Sequence, residues 1–285
     1  MSLLGASILR AAGATARLLP AGMKTGLYRT PLLSGLLRLI LTVAAPEGLV
    51  EVEVASGVAR GLRLRVDLKT QKYYWLGTHE MEVQAALLRE VRPGIIAYDI
   101  GAQLGFFTLG LGRLVGPAGG VHSFEPAPEN ARALRENVSR NAEVADRISV
   151  VEAAVSDVCG RVLYSWDPRT RLGQVTPAGE SAADFEVEGV TLDDYVFARK
   201  QPPPQFIKVD IDGSAGEALA GAGRVLREAR PVLLVEMHGE REAAGVGEAL
   251  RRAEYRVLTL DREREFLAPG EFAGGHILAA PRERS

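Results

Sequence analysis

Asp99, Glu125, Asp210, Asp212, Glu236 and His238 are the side chains whose types and spacing could do chemistry. Each falls at or just beyond the end of a short apolar run that reads as a strand. Open α/β sheets bind ligands at the carboxyl ends of their strands. The first run, Gly94-Ile95-Ile96-Ala97-Tyr98, leads through Asp99 into Gly101-Ala102-Gln103-Leu104-Gly105, and Phe106 to Val115 is then apolar enough to start a helix. A glycine-rich turn between strand and helix suits a nucleotide-like ligand. The dinucleotide fingerprint G-x-G-x-x-G needs its second glycine so that backbone can approach a pyrophosphate. Gln103 stands at that position, and the spacing is D-x-G-x-x-x-G. The turn therefore suits a ligand with an adenosine and no pyrophosphate, and S-adenosylmethionine is the candidate.

Glu125 lies 20 residues beyond Gly105, where an acidic side chain accepts hydrogen bonds from both ribose hydroxyls. The plainer reading is a solvent-facing glutamate. Asp99 either fixes the turn by a backbone hydrogen bond or meets the cationic amino group of the ligand. Asp210 ends the strand Phe206 to Ile211, beside the first strand in doubly wound sheets, and Asp212 follows on the same side by period two. Glu236 and His238 end the next strand, again two apart. Two carboxylate tips and an imidazole thus gather around one cleft, and an imidazole near neutrality is the natural base for a hydroxyl nucleophile. The same set offers oxygen and nitrogen ligands to a divalent cation, although no residue is assigned to a metal. A structural His238 is the plain alternative, and His79 and His122 read as structural or exposed. No G-x-S-x-G elbow, G-x-x-x-x-G-K-[ST] loop or H-E-x-x-H pair occurs, and Cys159 reads as incidental.

The bulk numbers fit a globular enzyme. Hydrophobic residues make up 47% and charged residues 25% of 285 positions. A net charge of −2 provides no global basic field for nucleic acid. One cysteine excludes an internal disulfide and any multi-cysteine zinc site, and a cytoplasmic location fits best. The first 46 residues hold no Asp or Glu but carry Arg10, Arg17, Lys24, Arg29 and Arg38. Residues 1–48 read as a basic helical extension packed on the core. The alternative is peripheral contact with an anionic membrane surface.

The elements that must position these groups follow from periodicity. Val50, Val52 and Val54, then Leu62, Leu64 and Val66, alternate with charges and predict a hairpin; Met81 to Val91 predicts a helix, so residues 49–92 lead into a core over 93–285. Strands are expected at Ile95 to Asp99, Val121 to Glu125, Ile148 to Ala154, Phe206 to Ile211, Val232 to Met237, Tyr255 to Leu260 and His276 to Ala280. Helices are expected at Pro128 to Asn141, Gly216 to Ala229 and Arg241 to Ala253. Residues 158–200 break this rhythm and read as irregular, with a short strand near Phe185 and a short helix from Leu192 to Arg199. Alternating strands and helices imply a doubly wound parallel sheet.

These segments, in this order, resemble the FkbM family of class I S-adenosylmethionine-dependent methyltransferases. The resemblance runs from Tyr73-Tyr74-Trp75-Leu76-Gly77-Thr78-His79-Glu80 through YDIGAQLGFFTL, HSFEPAPEN, VVEAAVSD, GVTLDDYV, FIKVDIDG, RPVLLVEMHG and HILAAP, over roughly residues 49 to 281. It implies an α/β fold with a mostly parallel, seven-stranded Rossmann-like sheet in the order 3-2-1-4-5-7-6, strand seven antiparallel. Cofactor binding would fall on Asp99, Gly101, Gly105 and Glu125, with Ala154 and Val155 near the adenine. Ala102 and Gln103 in the turn, Pro126 beside Glu125, and Asp210 complete that set. Family members typically methylate hydroxyls of small molecules, sugars or polyketide products, which makes a small-molecule or glycan acceptor the expected partner and His238, Asp210 and Glu236 the expected catalytic residues. The family usually has asparagine at Gln103, D-x-E-G where this chain has Asp210-Ile211-Asp212-Gly213, and a glutamate at Ala215. The rival readings are an RNA methyltransferase, an inactive adenosyl-ligand-binding module and a nicotinamide-dependent oxidoreductase.

Overall fold

The computed structural model describes residues 48–176, 183–266, 271 and 274–282. The chain divides after Met81 into two compact units. The extension expected over residues 1–48 lies, but for Gly48, outside the described residues. Among the described residues no helix is long and apolar enough to cross a membrane.

In the first unit, β1 (Leu49–Glu53) and β2 (Arg63–Asp67) pair antiparallel with Val52 opposite Leu64, the hairpin that their alternation predicts. A short helix, α1 (Lys72–Leu76), ends at Gly77 in the left-handed region, and a Cβ there would meet the Ser56 carbonyl oxygen at 1.9 Å. Only glycine fits. His79 stacks on Tyr73 and lies 3.0 Å from Glu80 Oε1, so it is a packed residue.

Helix α2 (Met81–Glu90) starts at the boundary. The second unit continues with β3 (Ile96–Ile100), α3 (Phe106–Leu114), β4 (Gly120–Phe124), α4 (Pro128–Ser139) and β5 (Ile148–Val151). Next come β6 (Ala154–Val155), β7 (Gly160–Asp167), β8 (Leu172–Val175) and β9 (Phe185–Val190). The strand–helix alternation resumes with β10 (Phe206–Val209), α5 (Ala215–Ala220), α6 (Gly223–Glu228), β11 (Val232–Met237), α7 (Glu240–Arg252), β12 (Tyr255–Leu258), β13 (Glu265–Phe266) and β14 (Gly275–Pro281). The main sheet runs β13-β12-β14-β11-β10-β3-β4-β5. Strands β11, β10, β3, β4 and β5 pair in parallel, while β14 is antiparallel to both of its neighbours. Leaving out β13, its strands, counted along the chain, fall in the order 3-2-1-4-5-7-6. Every residue of β10 is buried, as are all but the first of β3 and β4, which is what helices on both faces of a parallel sheet require. Ile100, Ile207, Val209, Leu233 and Val235 join Leu219, Val225, Val246 and Leu250 from the helices in one core.

Four expectations need correction. The sheet has an eighth strand, β13, because Glu265 and Phe266 pair with Leu258 and Val257. The third core strand ends at Val151, and Ala154–Val155 pairs instead with β9. Residues 158–200 are ordered in a second, four-stranded sheet, β6-β9-β7-β8, in which β7 and β8 form a hairpin with Tyr164 opposite Val175. Its charged outward residues and interior glycine masked the alternation. The expected helix over 216–229 is two helices broken at Gly221, where a Cβ would meet the Ser156 carbonyl oxygen at 2.2 Å. The short helix expected from Leu192 to Arg199 is present over 192–198, with π-type hydrogen bonding across Asp194–Ala198.

Candidate active site

The strand order reverses between β3 and β10, and Asp99, Glu125, Asp210, Glu236 and His238 lie at the carboxyl edge on one side or the other of that point. The turn after β3 is built from backbone. Gly101 and Ala102 both donate their N–H to the Phe124 carbonyl, at 3.1 and 3.0 Å, tying the turn to the end of β4. Gly101 has φ 84°, and a Cβ there would sit 1.9 Å from the Asp210 carbonyl oxygen. Gly105, φ 94°, precedes α3 with Leu134 against it. Gln103 also takes a left-handed φ, 48°, which aims its N–H at Glu125 Oε2, 2.9 Å away.

Glu125 is not the solvent-facing glutamate of the plain reading. It is buried, and Oε1 accepts from the Ala127 N–H at 3.0 Å and from Asn130 Nδ2 at 3.4 Å. A carboxylate oxygen can accept two hydrogen bonds, so Oε2 keeps capacity for a ligand hydroxyl. Burial pushes this carboxyl up to about 7 despite those donors. Pro126, which follows it, and Ala154 and Val155 are buried, with Ala154 in the small core that Ala127, Val162, Tyr164 and Val187 also form.

Asp99 does not cap the turn. It is fully buried, Oδ2 accepts from Thr108 Oγ1 at 2.6 Å, and Oδ1 lies 4.0 Å from the Lys208 ammonium. Lys208, Asp99 and Ser123 are in register on β10, β3 and β4, a buried polar row across three strands. Asp99 Oδ1 and Ser123 Oγ have no hydrogen-bond partner among the described residues. Burial holds Asp99 above the usual carboxylate range, with Lys208 and Thr108 opposing. The Lys208 ammonium lies over the Phe107 ring and donates to Asp210 Oδ2 at 2.7 Å, so one buried cation serves carboxylates on both sides of the switch point.

Asp210 and His238 are the first residues beyond β10 and β11, and Glu236 lies within β11. One ligand atom from each lies within 4.8 Å of the others, a set whose chemistry suits a divalent cation. Glu236 is hydrogen-bonded to Asp210 and is held above its ordinary range by burial, with Asp210 adding to the effect and His276 opposing it. His276 Nε2 lies 3.4 Å from Glu236 Oε2. The period-two argument for Asp212 lapses, because the strand stops at Val209 and the chain turns through Gly213 at φ 69°. Asp212 instead meets His238, Oδ1 to Nε2 at 3.1 Å. Glu242 joins the two strand ends, accepting from the His238 N–H at 2.7 Å and from the Ala215 N–H at 2.8 Å. With alanine at 215, the helix start is thus held by a carboxylate from α7. His122 is structural as expected, with Nδ1 2.7 Å from the Tyr195 hydroxyl.

Lys208, Tyr164, Asn130, Arg171 and His276 were not singled out by the sequence. Lys208 left a signal, a lone charge inside the apolar run FIKV. His276 left none, because it reaches Glu236 only through the antiparallel register of β14. Tyr164, on β7, is buried, and the negative charges of Glu125 and Asp212 add to burial in raising its hydroxyl pKa.

The family described as "Methyltransferase FkbM domain" is matched over residues 99–263, more than half of the chain. The 31-O-demethyl-FK506 methyltransferase FkbM of Streptomyces tacrolimicus is 30% identical over 165 residues, covering 46% of this chain and 61% of that protein, less than two thirds of its length. The hexuronic acid methyltransferase AglP of Haloferax volcanii is 23% identical over 190 residues, 66% of this chain and 75% of the relative. Among solved structures, a methyltransferase FkbM from Methylobacillus flagellatus aligns with TM-score 0.44 and 18% identity, over 89% of this chain and 60% of that one.

Proposed function

From a chain that belongs to the FkbM methyltransferase family, we propose a methyltransferase that moves the methyl group of S-adenosylmethionine to a hydroxyl oxygen of a small-molecule or sugar acceptor. The observation that carries the reading is the His238–Asp212 pair, 3.1 Å apart, beside Asp210 and Glu236 and across the switch point from the glycine turn. The residues present suit the cofactor. Gly101 keeps the turn free of a side chain, the spare acceptor capacity of Glu125 Oε2 suits a ribose hydroxyl, and Ala154 and Val155 offer an apolar wall for adenine.

When bound, the cofactor supplies a methyl group already activated by its sulfonium. The protein's part is to align acceptor oxygen, methyl carbon and sulfur, and to take a proton. With Asp212 accepting from His238 Nε2–H, the lone pair of the imidazole is left on Nδ1, which receives the hydroxyl proton as the oxygen–carbon bond forms and the carbon–sulfur bond breaks. Asp212 steadies the resulting imidazolium. The acceptor edge carries Asp210, Asp212 and Glu236 against one buried lysine, which favours a neutral hydroxyl over an acceptor carboxylate. Both curated relatives are named for small-molecule or sugar-acid substrates, which agrees with an acceptor of that size. No metal is assigned.

Calorimetric titration with S-adenosylhomocysteine, with NAD as control, tests the cofactor. Saturable binding of the first alone is expected. Binding of NAD, or of neither by folded protein, refutes the reading. Formation of S-adenosylhomocysteine in the presence of hydroxylated polyketides or sugars then tests the transfer.

A further inference from the structure

The hairpin β7–β8 carries its turn back onto the groups expected to hold the cofactor. Arg171, at the turn, has φ 59°, a left-handed conformation that costs a non-glycine residue about 1 kcal/mol and persists where surroundings enforce it. What enforces it is a set of contacts with the cofactor side of the site. The Arg171 carbonyl accepts from Asn130 Nδ2 at 3.1 Å and from Gln103 Nε2 at 3.5 Å. Its guanidinium donates to Asn130 Oδ1 at 3.1 Å. Asn130 is 1% exposed and shares its amide with Glu125 Oε1. Further along the hairpin, Gln174 Oε1 lies 3.3 Å from the place a Cβ of Gly213 would take, so the hairpin reaches from the glycine turn to the acceptor edge. Together these contacts roof the carboxylate that the ribose is expected to meet.

We propose that Arg171 is a positioning residue that latches the β7–β8 hairpin shut over Glu125, and that the cofactor enters only when the Arg171–Asn130 contact is released. The inference rests on the S-adenosylmethionine reading of the site. Closed and open hairpins are two states, and the ligand binds the open one, so the apparent affinity is reduced by the fraction of molecules that are open. Weakening the latch therefore tightens cofactor binding. A residue that merely braced the fold would weaken binding or leave it alone when replaced.

The test is Arg171→Asn in the full chain, because asparagine tolerates a left-handed φ and keeps the carbonyl contacts while the guanidinium is lost. Arg169→Asn serves as control, since the Arg169 side chain is 89% exposed and its contacts are with Asp167. Hydrogen exchange without ligand should show the amides of β7 and β8 exchanging about three- to tenfold faster in Arg171→Asn, with β3 and β10 unchanged. Titration with S-adenosylhomocysteine should show binding tighter by a similar factor, with faster association. Unchanged hairpin exchange overturns the latch whatever the cofactor does. Faster exchange with unaltered affinity shows a hairpin that does not gate, and faster exchange with weaker binding makes Arg171 a cofactor contact; each overturns the proposal. If neither wild type nor variant binds S-adenosylhomocysteine, the cofactor reading fails and the gating role falls with it, while the exchange data still report whether the contact holds the hairpin.

Discussion

Replacing Glu125 with glutamine should change how the protein's stability depends on pH. The carboxyl is pushed up to about 7 in the folded chain from an ordinary value of 4.5. Between those values the folded state keeps a proton that the unfolded state releases, so stability falls as pH rises through the interval, by at most about 3 kcal/mol at 1.36 kcal/mol per pH unit. The glutamine variant does not titrate. It does lose one acceptor, because Oε1 and Oε2 both face N–H donors in the wild type, and its amide nitrogen must oppose one of them at about 1–3 kcal/mol. The variant should therefore be the less stable protein at pH 5, and the gap should narrow by about 2.5 kcal/mol, closing or reversing, by pH 8. Asp99 and Glu236 also titrate above their ordinary range, but they do so in both proteins and cancel in the difference. Urea unfolding at pH 5, 6, 7 and 8, followed by circular dichroism, measures the gap. Stability curves that stay parallel across this range, within about 0.5 kcal/mol, would refute the reasoning that burial dominates the titration of Glu125.

Lys208→Met strands the Asp99 and Asp210 carboxylates and should cost about 3–5 kcal/mol in denaturant unfolding, part of which Lys208→Met with Asp99→Asn restores; a loss under about 1 kcal/mol would mean the lysine is not the shared counter-ion. Gly101→Ala forces a Cβ against the Asp210 carbonyl oxygen at φ 84° and should lower the melting temperature by several degrees and abolish S-adenosylhomocysteine binding, which calorimetry reads. His238→Ala should leave S-adenosylhomocysteine affinity within about twofold while turnover on an identified acceptor falls about 100-fold or more; full activity would remove His238 as the base.

The sequence disclosed whatever rests on local pattern. Strand tips at Asp99, Glu125, Asp210 and Glu236 were legible because each parallel strand is an apolar run closed by a turn, and the turn at Gly101 because its glycine spacing is set by backbone approach. Contacts made across the fold were not legible. Arg171 meets Asn130 over 41 positions and His276 meets Glu236 over a strand register, and neither pairing leaves a periodic trace. The second sheet is not legible because β7 and β8 are half-exposed and β8 is interrupted by Gly173, which packs on Tyr164 where a side chain would collide. Asp212 was found for the wrong reason: its partner is His238, reached through a turn, not through strand periodicity.

The second sheet has its own small core, built mainly on Val162, Tyr164 and Val187, and it enters the chain between two strands of the main sheet. A segment with its own packing and closely placed entry and exit behaves as a cassette. Exchange of residues 156–190 between relatives should carry acceptor preference with it and leave the glycine turn in place. New specificities in this scaffold would then arise by replacing one insert, without rebuilding the main sheet.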